Sequence, residues 1–221
     1  MLFLISFGIV AWGVHVESDW VTSFDLSWIE RIQGSISNGK TTLFIILTEL
    51  GSMKLVIALT IILAIVLFLK RKYADGLWFG GTILFCAVIG GKVLKKIFDR
   101  DRPEFLQLIK KTNESFPSGH ATATTIFYGF IGLILVLSLA QIWKKVIVGL
   151  ITLTLIGFIL FTRIYLGAHY PTDVVGGFLY GGAVVCLSLG VYLTVQDPLH
   201  NLLRKLKLND QSEPLERSRG Y

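Results

Sequence analysis

The stretch Ala121–Val195 reads ATATTIFYGFIGLILVLSLA, QIWKK, VIVGLITLTLIGFILFT, RIYLGAHYPTD and VVGGFLYGGAVVCLSLGVYLTV in succession. Three apolar runs, Ala121–Ala140, Val146–Thr162 and Val174–Val195, alternate with two short polar connections. A helix crossing the hydrocarbon core of a bilayer needs about 20 mostly apolar residues, within a range of about 17–25. All three runs meet that requirement. Three more precede them, at Leu2–Val14, Leu55–Leu69 and Leu77–Val93. Leu55–Leu69 is short, but Lys54 and Lys70 at its ends have stems long enough to reach the headgroups. The expected fold is all-α: a polytopic membrane bundle of six transmembrane helices, forming one domain over residues 1–221 with a flexible tail over 208–221.

Composition agrees. Of 221 residues, 53% are hydrophobic and 16% charged, against about 25% charged in an average soluble domain. So few charges leave the surface of a soluble chain this size unwetted. Disorder is excluded by the wealth of aliphatic residues. A disulfide scaffold is excluded because Cys86 and Cys186 are the only cysteines and both sit in apolar runs. The first run lacks a basic flank, and His15-Val16-Glu17 is no small-residue cleavage site, so Leu2–Val14 is expected to be a retained span rather than a signal peptide. Between it and the second span, Trp20 and Trp28 suit the membrane interface. Thr41–Leu50 is too short to cross and is expected to be an interfacial or re-entrant helix.

The net charge is +6, and its distribution carries the orientation. Val16–Met53 has a net charge of −3, whereas Lys70–Arg71–Lys72 with Asp75, the Lys144–Lys145 connection and the tail from Asp197 are all positive. Basic short loops face the cytoplasm, which puts both termini there. One loop breaks the pattern. Lys92–Glu114 has seven bases against four acids yet falls on the outer side of a six-span protein. Either the spans are miscounted or these cations serve a ligand, and Arg163 at the outer end of the fifth span favours the ligand.

Three short segments hold most of the polar residues that apolar periodicity leaves unexplained: Lys95-x6-Arg102-Pro103, Pro117-Ser118-Gly119-His120 and Arg163-x5-His169-x3-Asp173. In this topology all three lie at one membrane face. Pro117 stops any preceding helix and Ser118 is a good N-cap for the run that follows. A helix N-terminus attracts anions, and Gly119 lets the backbone approach one closely. By itself, Pro-Ser-Gly-His is also what a routine N-cap looks like. His169 and Asp173, four apart, share a helical face, so Asp173 can hold one ring nitrogen and leave the other as nucleophile or base. The same pair would serve as a hydrogen-bonded cap. A metal site has little support, since HExxH, CxxC and a third carboxylate cluster are all missing. Lys95, Arg102 and Arg163 would place three cations round one anion, while Lys110 and Lys111 fit a solvated loop. Such a group suits phosphoryl transfer, in which positioning and charge stabilisation dominate. The residues alone do not decide which histidine attacks.

The three segments resemble the signature K-x6-RP, PSGH and SR-x5-H-x3-D of the type 2 phosphatidic acid phosphatases (lipid phosphate phosphatases), whose active site is similar to that of vanadium-dependent haloperoxidases. Thr162 stands where the family usually has Ser, and it keeps the hydroxyl. The resemblance implies that His169 attacks phosphorus to form a phosphohistidine and that Asp173 orients it. It further implies that His120 protonates the leaving oxygen and then activates water. Lys95, Arg102, Ser118, the Gly119 amide and Arg163 would hold the phosphoryl oxygens, with no cofactor or metal and no nucleic-acid partner. Within the family the chain looks like the bacterial phosphatidylglycerophosphate phosphatase B group. That likeness implies phosphatidylglycerophosphate, undecaprenyl diphosphate, phosphatidate or diacylglycerol pyrophosphate as substrate in the cell membrane, at the extracytoplasmic face. A non-catalytic lipid-phosphate binder, a transporter and a lipid phosphotransferase are the competing classes. Gly90-Gly91 and Gly176-Gly177 do not mark the two matching halves of a transporter.

Overall fold

Residues 1–34, 36–104, 107–109 and 112–212 are described by a computed structural model, and among them the chain forms nine α-helices and no strand. Lys110, Lys111 and the tail beyond Ser212 lie outside the described residues. The helices are α1 (Leu2–His15), α2 (Asp19–Gln33), α3 (Asn38–Thr48), α4 (Met53–Leu69), α5 (Tyr73–Thr82), α6 (Gly91–Phe98), α7 (Gly119–Ser138), α8 (Ile142–Tyr165) and α9 (Pro171–Lys205). A π-helical stretch, Ile83–Gly90, fuses α5 and α6 into one rod, Tyr73–Phe98. This rod, α7, α8 and α9 are each long and apolar enough to cross a membrane. The pairs α1/α2 and α3/α4 are bent by 96° and 42°, and each bent pair counted as one crossing gives six.

Val16–Met53, expected as an outer loop with one short helix, contains two helices. α2 escapes an apolar-run search because it is amphipathic: its buried residues Val21, Asp25, Ile29 and Ile32 recur every three or four positions among exposed ones that include Thr22, Ser23, Ser27, Glu30 and Arg31 as well as Phe24, Leu26 and Trp28. α3 continues through a 3-10 turn, Glu49–Gly51, into α4.

The core is arranged round α7, whose residues Ala121–Phe127 are all buried. α9 approaches it through small residues. A Cβ on Gly177 would lie 2.8 Å from the Ala121 Cβ and 2.8 Å from the Ser118 carbonyl, and one on Gly181 would lie 2.7 Å from Thr125. Without side chains at these positions the two backbones pack at close range, the usual way to join helices in a medium that offers no hydrophobic gain between them. Below this contact, Val56, Phe79, Ile83, Ala123, Ile126 and Phe130 form the main apolar cluster. Ile61 and Ile62 on α4, and Leu150, Ile151 and Leu153 on α8, are turned outward, as lipid-facing residues are.

The helix directions separate two ends. At one lie the end of α6, the start of α7, the end of α8 and the start of α9, cross-linked by Ser118 N–H donating to the Asp173 carbonyl (3.0 Å) and Leu108 N–H to the Leu166 carbonyl (3.1 Å). At the other lie Lys70–Lys72, Lys144–Lys145 and the end of α9. Leu208–Ser212, the start of the expected tail, folds back there, because the Asp210 carboxylate accepts the Tyr73 (2.7 Å) and Ala74 (3.3 Å) amides at the start of α5.

Candidate active site

Ser118 is the N-cap of α7, its hydroxyl accepting from the Ala121 amide at 3.4 Å. His120 follows in the first turn. After α8, Gly167 adopts φ 64°, a left-handed conformation that costs glycine little. The chain thereby reverses and delivers His169 ahead of α9. His169 therefore precedes the helix instead of sharing a face of it with Asp173. The turn joins them: Tyr170 N–H donates to Asp173 Oδ2 at 2.9 Å, and His169 Nδ1 lies 3.5 Å from the same oxygen. The Ser115 hydroxyl sits between the two, donating to Asp173 Oδ2 and lying 3.3 Å from His169 Nδ1.

The other ring nitrogen, Nε2, lies 3.3 Å from Arg102 Nη1. Arginine only donates, so Nε2 presents its lone pair and the proton belongs on Nδ1, facing Ser115 and Asp173. His169 is 3% exposed. Burial pushes its imidazole well below the ordinary range, to about 3; Arg102 and Arg163 add to the fall, and Asp173 opposes it. The ring is thus neutral at physiological pH.

A cavity of about 250 Å³ brings together Lys95, Arg102, Gly119, His120, Arg163 and His169, with Asn113 at its side. Asp173 and Ser118 stand behind its wall, both fully buried. Met53, Ala87 and Val88, from α4 and the π-helical stretch, form an apolar wall. The cations are held by loop and helix acceptors. Lys95 Nζ donates to the Glu114 and Ser115 carbonyls, and Arg102 to the Asn113 carbonyl (2.7 Å) and to Asn113 Oδ1 (3.0 Å). Buried Arg163 donates from Nη1 to Thr48 Oγ1 at 3.1 Å, and Thr162 Oγ1 lies 2.9 Å from that same hydroxyl. Among the described residues no cluster of three His, Cys, Asp or Glu side chains is placed to hold a metal ion.

Five contributors stand outside the three motifs: Thr48, Ser115, Asn113, Arg100 and Asp25. Only Asp25 left a readable signal, a carboxylate on the apolar stripe of an amphipathic helix. The others are ordinary polar residues whose importance comes from what the fold places beside them.

The fold and site define an integral-membrane helical bundle that gathers two histidines and four cations, Lys92, Lys95, Arg102 and Arg163, round one pocket. The PAP2 superfamily matches residues 53–197, and the chain belongs to that superfamily. It is 36% identical over 145 residues to phosphatidylglycerophosphatase B of Bacillus subtilis, a match covering 61% of this chain and 66% of that protein. It is 29% identical over 150 residues to an undecaprenyl-diphosphatase of Sulfolobus acidocaldarius, covering 65% of this chain and 67% of that one. The matched segment thus spans about two thirds of each relative. The crystal structure of a transmembrane PAP2 type phosphatidylglycerolphosphate phosphatase from Bacillus subtilis superposes with a TM-score of 0.76 at 29% identity, covering 86% of this chain and 93% of that one. The chain is a multi-pass membrane protein whose relatives are named phosphatases.

Proposed function

We propose that this chain is a metal-independent lipid phosphatase that removes the terminal phosphate of phosphatidylglycerophosphate, undecaprenyl diphosphate or both, and also accepts phosphatidate or diacylglycerol pyrophosphate. The observation that carries this is one cavity lined by His169, His120, Lys95, Arg102 and Arg163, with the lone pair of a neutral His169 facing a cation that would be neutralised by a phosphoryl group. In the first half-reaction His169 Nε2 attacks phosphorus. The N–P bond forms as the P–O bond to the lipid breaks, and His120 gives its proton to the departing oxygen. In the second, His120 takes a proton from water, water attacks the phosphohistidine, and phosphate leaves. Lys95, Arg102, Arg163 and the Gly119 amide balance the charge spread over the phosphoryl oxygens, with Ser118 capping the helix behind them. The apolar wall of Met53, Ala87 and Val88 suits the chain of a lipid entering from the side.

The three basic connections gather at the end opposite the cavity. By the positive-inside rule that end is cytoplasmic, and the site works at the extracytoplasmic face.

Phosphate release from the four lipid phosphates in nanodiscs tests the proposal. His169→Ala is expected to abolish it, EDTA to leave the unaltered protein active, and vanadate or tungstate to inhibit. Full activity in His169→Ala, or lipid binding without turnover by the unaltered chain, overturns it.

A further inference from the structure

The strongest charge cluster outside the motifs lies behind the histidine. Arg100 follows Asp99, whose φ of 41° ends α6 in a left-handed turn and sends the next side chain back toward the bundle. Its guanidinium bridges two buried carboxylates, Nη1 reaching Asp173 Oδ1 at 2.7 Å and Nη2 reaching Asp25 Oδ2 at 2.8 Å. Nη1 also donates to the Thr172 hydroxyl at 2.8 Å, and the whole group lies 4.2 Å over the Tyr170 ring. Asp25 in turn accepts from the Thr172 amide (2.8 Å) and hydroxyl (2.7 Å). Three segments, α2, the turn after α6 and the start of α9, are thus tied at one guanidinium. Arg100 does not line the cavity. Asp25 lies outside residues 53–197, the part matched to the superfamily.

The geometry points to Arg100 and Asp25 as positioning residues that clamp Asp173, and through it fix the orientation and tautomer of His169. Asp173 has two oxygens with separate duties. Oδ2 faces His169, Ser115 and the Tyr170 amide, and Oδ1 is taken by Arg100. With Oδ1 held, the carboxylate cannot swing about its Cβ–Cγ bond, so Oδ2 stays opposite the Nδ1 proton. Asp25 completes the clamp by holding the far side of the planar fork, a two-point grip that a lysine ammonium cannot reproduce. Burial works against the charge on Arg100, but Asp173 and Asp25 outweigh it and hold the guanidinium above its ordinary pKa. The charged groups that bear on His169 are Asp173 from α9, Arg102 from the loop and Arg163 from α8; Arg100 reaches it through Asp173. α2 therefore helps to position the catalytic histidine through Asp25.

This inference rests on His169 as nucleophile, and the experiment separates the two. Purified wild type, His169→Ala, Arg100→Gln, Arg100→Lys and Asp25→Asn are compared for kcat, KM and pH–rate profile, and by 15N NMR of the histidine rings, with folding checked by gel filtration and thermal melting. Arg100→Gln is expected to lower kcat by about 10- to 100-fold, the scale seen when the partner of a catalytic group is lost, with KM little changed. Its acid limb should move to higher pH, because Asp173 without its cation favours a protonated His169. Arg100→Lys should restore the limb and only part of kcat, and Asp25→Asn should show a mixed His169 tautomer with a smaller loss of kcat. A folded Arg100→Gln with the wild-type profile, or with its loss confined to KM, overturns the inference. Should Arg100→Gln not fold, Asp25→Asn decides: a mixed tautomer supports the clamp, and an unchanged tautomer with wild-type kcat overturns it. Activity retained in His169→Ala overturns the nucleophile assignment instead.

Discussion

Gly177→Ala isolates how the two histidines are spaced. The substitution adds one methyl group on α9 at a point where it would lie 2.8 Å from the Ala121 Cβ, 2.8 Å from the Ser118 carbonyl and 3.1 Å from the Thr122 amide nitrogen. Ordinary heavy-atom contacts sit at about 3.5–4.0 Å, so α7 and α9 must part by roughly 1 Å at this level. Two of the three atoms met are backbone and cannot rotate aside. The wedge enters just where Ser118 N–H bonds the Asp173 carbonyl, between the helix whose first turn carries His120 and the turn that carries His169. Overpacking of this kind costs about 1–3 kcal/mol, which a folded membrane bundle survives. A displacement of about 1 Å in a catalytic group lowers turnover by about 100-fold, so the catalytic loss should far exceed the stability loss. Gly190→Ala, on the same helix with nothing within 4 Å of the added Cβ, is the control: it should leave turnover unchanged and melting unchanged or slightly raised, since alanine is favoured over glycine in a helix interior. Initial rates of phosphate release in nanodiscs, with melting temperatures of all three proteins, measure both effects. Turnover of Gly177→Ala equal to that of wild type would refute the argument that this contact spaces the histidines.

Two further outcomes are expected. The buried His169 titrates near 3 when folded and near its ordinary value when unfolded. Below about pH 6.5 the unfolded chain takes up a proton that the folded chain refuses, so stability present above that pH is lost toward pH 3 at about 1.4 kcal/mol per unit. Melting temperatures from pH 7 to pH 4 should therefore fall more steeply for wild type than for His169→Asn, and parallel curves would contradict the assignment. Thr48→Val removes the hydroxyl that accepts from Arg163. Stranding a buried donor costs about 1–3 kcal/mol, so both the melting temperature and the affinity for vanadate should drop, with Thr48→Ser retaining both.

Much of this protein was legible in one dimension because lipid is a simple solvent. It demands long uninterrupted apolar runs, so runs of that length announce themselves, and any charge left among them stands out. Arg163, at the end of an apolar run, was visible for that reason; His169 and the Lys95–Arg102 pair lie in polar connections and were visible through their spacing, and the arrival of all four at one cavity follows from helices that begin and end at the same level. The amphipathic α2 was not legible. Its buried face is interrupted by polar positions and lies against protein, so it never accumulates the hydropathy of a span. Ser115 and Thr48 were invisible for a different reason: a hydroxyl in a loop or at a helix end is unremarkable until a buried histidine or arginine is set beside it.

The sequence by itself determined the bundle and its apolar surface, since periodicity and charge placement answer to the solvent alone, and it singled out the polar residues proposed to meet a phosphate. Only the tertiary structure decided which nitrogen of His169 faces the cavity, because that depends on Arg102 and Ser115 arriving from opposite sides. It likewise decided that Asp173 is shared between His169 and Arg100, and that α2 supplies Asp25 to the same arginine. Hydrogen bonds and ion pairs act over a few ångströms, between groups that lie up to 147 residues apart in the chain. No local pattern encodes those distances; the close packing of α7 on the glycines of α9 sets them.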